Sequence, residues 1–382
     1  MKSRKRWCTN LKEIGGEFSS RIINTENRKR KKNVIDSKSD LQFTASGRTS
    51  IDIVIRDILS SSSPRVAWLP SYCCDSMISP FLRNGLIVRF YDVVFSNNML
   101  KPNLEECDIQ DGEIVLSLDY FGYFRNNFGN IADKIKSKVI YIDDRTHSIF
   151  CKHDLNTTIP LLDNTLTGKK ADYIIASLRK WTFFAGCSIA FKRNGKFSVL
   201  PQKKQYEATD LRKKAAALKQ GYLRGTKISK SKFLNLFGEA ENILDSDFEY
   251  YSAKTDEIDY FINRIDVSLI QKKRRENAEI LIDGINDIKE ISIIFNNIDD
   301  SDCPLFVPIM VPRDIRESLR DYLVSKQIYC PIHWPISSLH EQDKCLNSNL
   351  YMNMLSLVCD QRYDEKDMDR IIKEIHNFFR GI

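Results

Sequence analysis

The chain has 382 residues, 42% hydrophobic and 29% charged, enough to bury sizeable cores in two domains and too apolar for a disordered or fibrous protein. Its 58 basic and 51 acidic residues leave a net charge of +7, too mild at this length to imply a nucleic-acid partner. The basic start MKSRKRWCTNLKEIGGEF is followed by no apolar stretch, and no later run is long enough to span a bilayer, so the expectation is a cytoplasmic protein with no membrane contact. The ten cysteines are scattered, with Cys73-Cys74 the only close pair and no CxxC, as expected of buried free thiols in a reducing compartment.

Residues 1 to 40 are polar and carry the run Arg28-Lys29-Arg30-Lys31-Lys32, which reads as a loosely held, solvated extension; Ile22-Ile23 is its only hint of docking. From residue 41 a helical stretch at Thr49 to Leu59 is followed by apolar runs at Val66 to Leu69, Ile87 to Tyr91, Ile114 to Leu118, Val139 to Ile142, Tyr173 to Ala176 and Cys187 to Phe191. Short apolar runs alternating with helical segments, as at Asp75 to Leu82 and Ile131 to Ile135, predict a largely parallel α/β sheet. Residues 200 to 255 turn polar and lysine-rich, with one helix expected through Leu211 to Leu218. A longer helical pattern from Glu257 to Leu281 bridges to a second unit. That unit reads as strands at Ile291 to Phe295 and Leu305 to Val311, a helix at Ile315 to Val324, a strand near Ile328 and an amphipathic helix over Met368 to Phe379. The expected division is therefore 1–40 extension, 41–255 large domain, and 256–382 linking helix with a small α/β domain.

In an open parallel sheet, ligands gather beyond the carboxyl ends of the strands, and three clusters fall there. The first, Thr44-Ala45-Ser46-Gly47-Arg48-Thr49-Ser50, opens a helix with hydroxyls and a glycine; it reads as an ordinary N-cap or as a phosphate site. The second, Tyr141-Ile142-Asp143-Asp144-Arg145-Thr146-His147-Ser148, ends a strand with two carboxylates and a histidine; capping, or a metal site from Asp143, Asp144, His147 and His153, are its rival readings. The third, Ser177-Leu178-Arg179-Lys180-Trp181, follows the strand Tyr173 to Ala176. A lysine there is a solvated strand end or, with its pKa lowered by burial and by Arg179, a nucleophile toward carbonyls.

Taken singly, each cluster favours its bland reading. One chemistry needs all three: pyridoxal phosphate requires a lysine for its Schiff base, a carboxylate on the pyridinium nitrogen and a cup of hydroxyls and helix N-terminus for its phosphate. Asp144 stands 36 residues before Lys180, both at expected strand ends.

From about Phe43 to the C-terminus the chain resembles the fold-type I pyridoxal-phosphate enzymes, and most closely the DegT/StrS-like sugar aminotransferases. SGRTSID is similar to the family's phosphate loop, WLPSYCCDSMISPF to its proline-serine strand end, LDYFGY to its aromatic-glycine turn, and PIHWP with SLVCDQRYDEKDMDRI to its C-terminal domain. IDDRTHS and SLRKW resemble the motifs that carry the pyridinium carboxylate and the lysine. The resemblance implies an α/β fold with a large, mostly parallel, seven-stranded-type sheet and a small C-terminal α/β domain. It assigns the pyridinium contact to Asp144, the cofactor-hydroxyl contact to His147, a phosphate contact to Ser177 and the covalent role to Lys180, with Ser46, Gly47 and Arg48 anchoring the phosphate.

The chain departs from the pattern at the ring-stacking aromatic, where Cys74 stands, with Tyr72 two residues earlier as the alternative, and in GYLRGTKISKSKF, where the family's asparagine-bearing loop is not recognisable. The implied activity is transfer of an amino group from glutamate to a nucleotide-linked keto sugar, in polysaccharide or surface-antigen biosynthesis, by a homodimer. Arg179 and Arg362 are candidates for the donor's carboxylate, and Lys203, Lys204, Arg212 and Lys213 for a nucleotide diphosphate. The rivals are another pyridoxal-phosphate reaction, a non-catalytic binding protein on the same fold, and a metal-dependent enzyme.

Overall fold

The computed structural model describes residues 12–20, 38–123, 131–151, 171–201, 206–246, 251–336, 338–340 and 348–381. Arg28 to Lys32, Ile22-Ile23, His153, Lys203 and Lys204 lie outside them.

The large sheet is built from strands β2 (Asp40–Thr44), β3 (Val66–Pro70), β4 (Ile87–Ser96), β5 (Met99–Asn103), β6 (Ile114–Leu118), β7 (Ile140–Asp144), β8 (Tyr173–Ser177) and β9 (Ser188–Lys192), in the spatial order β2-β9-β8-β7-β6-β3-β4-β5. Strands β8, β7, β6, β3 and β4 run parallel, while β9 and β5 are reversed. Strands β3, β6 and β8 are buried along their whole length, which is why they read as unbroken apolar runs rather than as alternation. The sheet has eight strands, one more than the seven expected. Met99–Asn103 pairs only with β4, at the edge, and its lysine, proline and asparagine hide it from a reading that seeks apolar runs.

Helix α1 (Gly47–Ser61) begins where Ser46 accepts a hydrogen bond from the Thr49 amide and buries Ile51, Val54, Ile55 and Ile58 in the sheet's core. Helix α2 (Asp75–Arg83) follows β3, and a short α3 (Ile131–Lys134) precedes β7. Where one helix is expected past residue 206, the described residues form a helical hairpin, α4 (Glu207–Leu223) with α5 (Lys230–Ser246), closed by Phe233 and Phe237 on Ala215 and Ala216. The long helical pattern that follows is broken into α6 (Thr255–Asn263) and α7 (Val267–Ile285), the second capped by Asp266.

A second core surrounds the sheet of β10 (Ser292–Ile293), β11 (Val307–Met310) and β13 (Met354–Leu357), covered by α7, α8 (Arg313–Ser325) and α10 (Glu365–Arg380), with α9 (Ser348–Asn353) leading into β13. Met368, Ile371 and Ile375 make the buried face of α10. Residues 12–20 are docked, contrary to a loose extension: β1 (Ile14–Gly15) pairs in parallel with β12 (Ile328–Tyr329), and Ile14 is fully buried in this second core.

Candidate active site

The chain leaves β3 to one side for β4 and to the other for β6, so a crevice opens beyond the carboxyl ends of the strands at that switch. Ser46, Gly47 and Arg48 at the start of α1, Cys74 at the start of α2, Leu118 after β6, Asp144 after β7 and Ser177, Arg179 and Lys180 after β8 line one pocket there, together with Thr146, His147 and Trp334. Of the nine site residues expected from sequence, only Tyr72 is outside the lining. Its ring is buried against Tyr120, Trp334 and Tyr351, behind the pocket wall.

Each wall is fixed locally. Thr146 donates its amide to Asp144 Oδ1 at 2.8 Å and accepts the Ser177 amide on its hydroxyl at 3.1 Å, so β7 and β8 are tied where their functional side chains emerge. Lys180 ends a single 3-10 turn, and Trp181 anchors it from below. The indole N–H of Trp181 donates to Thr146 O at 2.7 Å, its carbonyl accepts from Gln361 at 2.7 Å, and the Arg274 guanidinium lies 4.8 Å from its ring. A Cβ on Gly47 would touch Ser177 Cβ at 3.4 Å, so the start of α1 and the end of β8 close on each other.

Burial raises the Asp144 carboxyl to about 6, against hydrogen bonds from Thr146 and the charge of Lys180. Burial also lowers the Lys180 ammonium, against Cys74 and Asp144 and with help from Arg179. His147 Nε2 lies 2.9 Å from Lys180 Nζ, and the Trp334 ring packs 5.6 Å from the imidazole at an interplanar angle of 22°.

Asp143 and Asp144 are adjacent on a strand and point to opposite faces. Asp143 is held by Arg145 at 2.7 Å and Ser117 at 3.2 Å, away from the pocket. Among the described residues no cluster of three His, Cys, Asp or Glu side chains is set to hold a metal. The expected carboxylate-binding arginines are both engaged: Arg362 chelates Asp360 at 2.8 and 2.7 Å and covers Phe18, and Arg179 pairs with Glu241. Arg212 is almost fully buried between Glu17 and Glu241, and Lys213 pairs with Asp256, so neither forms a free basic loop.

Thr146 and Trp334 line the pocket and have no role in the sequence-based expectation, whereas Trp181 packs below the turn of Lys180 and supports it without lining the pocket. All three stand inside quoted motifs, Trp334 in PIHWP, but Trp334 lies 154 positions beyond Lys180 and its motif carries no sign that it reaches the lysine.

No protein-family model matches the sequence, and no curated protein is similar to it. Solved structures are similar. PseC of Helicobacter pylori, an aminotransferase involved in the biosynthesis of pseudoaminic acid, matches with a TM-score of 0.61 and 14% identity over 90% of this chain and 87% of its own. A putative sugar aminotransferase of Streptococcus pneumoniae, in its PLP form, matches at 0.57 and 11% identity over 89% and 87%. The fold is that of these aminotransferases. A DegT DnrJ EryC1 StrS aminotransferase of Brucella abortus matches at 0.54 and 15% identity over 88% and 85%, so the likeness takes in both cores. No helix among the described residues is long and apolar enough to cross a membrane.

Proposed function

We propose that this protein is a pyridoxal-phosphate-dependent aminotransferase that moves an amino group from glutamate to a nucleotide-linked keto sugar, acting in the cytoplasm as a homodimer. The observation that carries the reading is the convergence of Lys180, Asp144 and the N-terminus of α1 on one pocket at the sheet's switch point.

The donor set fits the cofactor. Free amides and the positive end of α1, flanked by Ser46, Gly47, Arg48 and Ser177, suit a phosphate dianion. Asp144 suits a pyridinium nitrogen: its carboxyl is fully buried, and a cation beside it would repay the cost of ionising it there. His147 suits the ring oxygen, and Cys74, which the resemblance sets at the stacking aromatic's position, lines the pocket at the start of α2. When bound, pyridoxal phosphate supplies a carbonyl for amine exchange and an electron sink for the adjacent carbon.

The chain's own residues do the rest. Lys180, with its ammonium destabilised by burial, reaches the free-amine form at lower pH than an exposed lysine and is the group that takes and returns a proton at Nζ. Asp144 holds negative charge at the pocket floor, and the indole of Trp334 excludes water from the lysine. We assign 41–255 to the cofactor-binding domain and 256–382 to a linking helix and small domain, with Trp334 the second unit's contribution to the pocket.

The purified protein mixed with pyridoxal phosphate is expected to develop a visible absorbance band. Borohydride is then expected to fix the cofactor on the peptide containing Lys180, and glutamate to bleach the band before reduction. An unmodified Lys180 peptide rejects the cofactor; a modified peptide with no response to glutamate rejects the donor.

A further inference from the structure

The 2.9 Å contact between Lys180 Nζ and His147 Nε2 has two possible polarities, and which one holds is decided at the other end of the imidazole. The backbone N–H of Phe121 points at His147 Nδ1 across 3.3 Å. An amide N–H only donates, so Nδ1 must present its lone pair, and the proton of a neutral imidazole then sits on Nε2. The opposite tautomer would set two N–H groups against each other at the Phe121 end. An imidazolium would do the same there and would face the lysine as well. His147 is completely buried, and that burial, then Lys180 and His333, keeps its pKa well below the ordinary histidine value.

We propose that the Phe121 amide fixes His147 as the Nε2–H tautomer and that this N–H donates to the lone pair of Lys180, so that the pocket holds the lysine as a neutral amine. Phe121 and His147 thus act as positioning groups for the nucleophile. An ammonium at Nζ would meet the Nε2–H as donor against donor, whereas the free amine accepts it.

The amide is held in place by the turn that carries it. Phe121 has φ 58° and Gly122 φ 81°, and a Cβ on Gly122 would fall 1.9 Å from the Cys303 carbonyl oxygen. The same turn receives the Leu305 amide on Phe121 O at 2.7 Å and the Cys303 amide on Gly122 O at 2.9 Å. The imidazole cannot swing away, because Phe121, Trp334 and His333 pack around its ring at 5.4, 5.6 and 6.1 Å.

Other groups face the pair. Asp144 on β7, Cys74 at the start of α2 and the Trp334 ring face, 5.4 Å from Nζ, favour an ammonium; burial, the largest influence, and the neighbouring Arg179 oppose it. His333, pushed down to about 3 by burial and by Lys180, adds no charge. The consequence for carbonyl chemistry rests on the proposed function, whereas the hydrogen-bond polarity is a property of the cofactor-free chain.

Two readouts on the cofactor-free full-length protein test it. Long-range proton–nitrogen correlation on 15N-histidine-labelled protein, with His147 assigned from the signals lost in His147→Gln, is expected to give a protonated Nε2 and a bare Nδ1. Competitive acetylation of Lys180 against pH is expected to give a midpoint below that of an ordinary lysine. It should be kept in His147→Gln, whose amide N–H can still donate, and raised by about one unit in His147→Leu. A protonated Nδ1, or a midpoint indifferent to His147→Leu, overturns the proposal; if the leucine variant does not fold, the wild-type spectrum decides alone. Should pyridoxal phosphate leave Lys180 unmodified while the tautomer and midpoint are as expected, the aminotransferase reading fails and this one stands.

Discussion

Arg179, in the turn that carries Lys180, is ion-paired to Glu241 of helix α5. The same carboxylate also engages the buried Arg212, and its other oxygen stands 3.8 Å from Arg48, which Asp245 holds at 2.6 Å. Burial would raise the Glu241 pKa, yet Arg179 and Arg212 hold it below the ordinary carboxylate range. The two arginines of the pocket are therefore partly neutralised from behind, and α5 tunes how strongly the start of α1 attracts an anion. Glu241→Gln keeps the shape and removes the charge. It is expected to bind inorganic phosphate roughly 3- to 10-fold more tightly, a modest electrostatic gain for a partly exposed network. It is also expected to unfold at lower temperature, because Arg212 loses a partner. Phosphate titration and thermal unfolding of the same sample check both, and weaker phosphate binding would refute the link.

Asp144 predicts a pH dependence of the cofactor-free protein that runs against the usual carboxylate pattern. Its folded pKa, about 6, lies above the ordinary 3.8. As pH rises from about 4 to about 6 the unfolded chain releases this proton before the folded one does, so stability falls across that window and stays low above it. The loss attributable to this group approaches about 3 kcal/mol. Asp144→Asn is expected to remove that slope in denaturant unfolding and to be the more stable protein at neutral pH. In the presence of pyridoxal phosphate the same variant is expected to lose at least about 100-fold in the glutamate half-reaction. A steep slope that survives in the variant would mean another group is responsible.

Gly122 gives a sharper structural test. With φ at 81° and the Cys303 carbonyl oxygen 1.9 Å from the place of a Cβ, alanine there must displace the turn after β6 and the segment at 303–305 together. Gly122→Ala is expected to cost about 2 kcal/mol or more, measured by urea unfolding. By moving the Phe121 amide it is also expected to raise the Lys180 acetylation midpoint. Gly112, at nearly the same φ but with nothing near its Cβ position, is the control: Gly112→Ala pays only the backbone term and leaves the lysine unchanged.

The sequence made some of this legible and hid the rest for physical reasons. Strands β6, β7 and β8 are buried, so their apolar runs stand out, and β7 and β8 each end on a polar residue where the apolar run breaks: Asp144 and Ser177 are visible for that cause. Helix α5 was overlooked because much of its surface is exposed and polar, with only Phe233, Phe237, Ala240 and Leu244 buried. Edge strand β5 was overlooked because it pairs on one side only. Tyr72 was expected beside Cys74 at the ring position, but successive residues after β3 diverge, and Tyr72 turned inward onto Tyr120 and Tyr351. The engagement of Arg179 could not be seen, because Glu241 lies 62 positions away; Arg362 has its main partner, Asp360, two residues before it, while Glu17 and Phe18, which also adjoin it, lie in what reads as a loose extension.

Trp334 comes from the C-terminal third of the chain, packs against the large-sheet core and lines the pocket. Its indole stacks on His147, stands over Lys180 Nζ at 5.4 Å and packs against Tyr72 at 5.2 Å, so it couples the nucleophile to the aromatic cluster behind the wall. Because it is only half buried, truncation should leave the fold intact at a cost of about 1–3 kcal/mol while opening the lysine to water. Trp334→Ala is expected to weaken pyridoxal-phosphate binding by about 10-fold, the worth of one well-packed aromatic contact, and Trp334→Phe by much less. Tryptophan fluorescence gives an independent readout: cofactor addition should quench the wild type more than Trp334→Phe, since one of the four tryptophans then no longer lines the site. Equal affinity and equal quenching in all three proteins would place Trp334 outside the cofactor's reach.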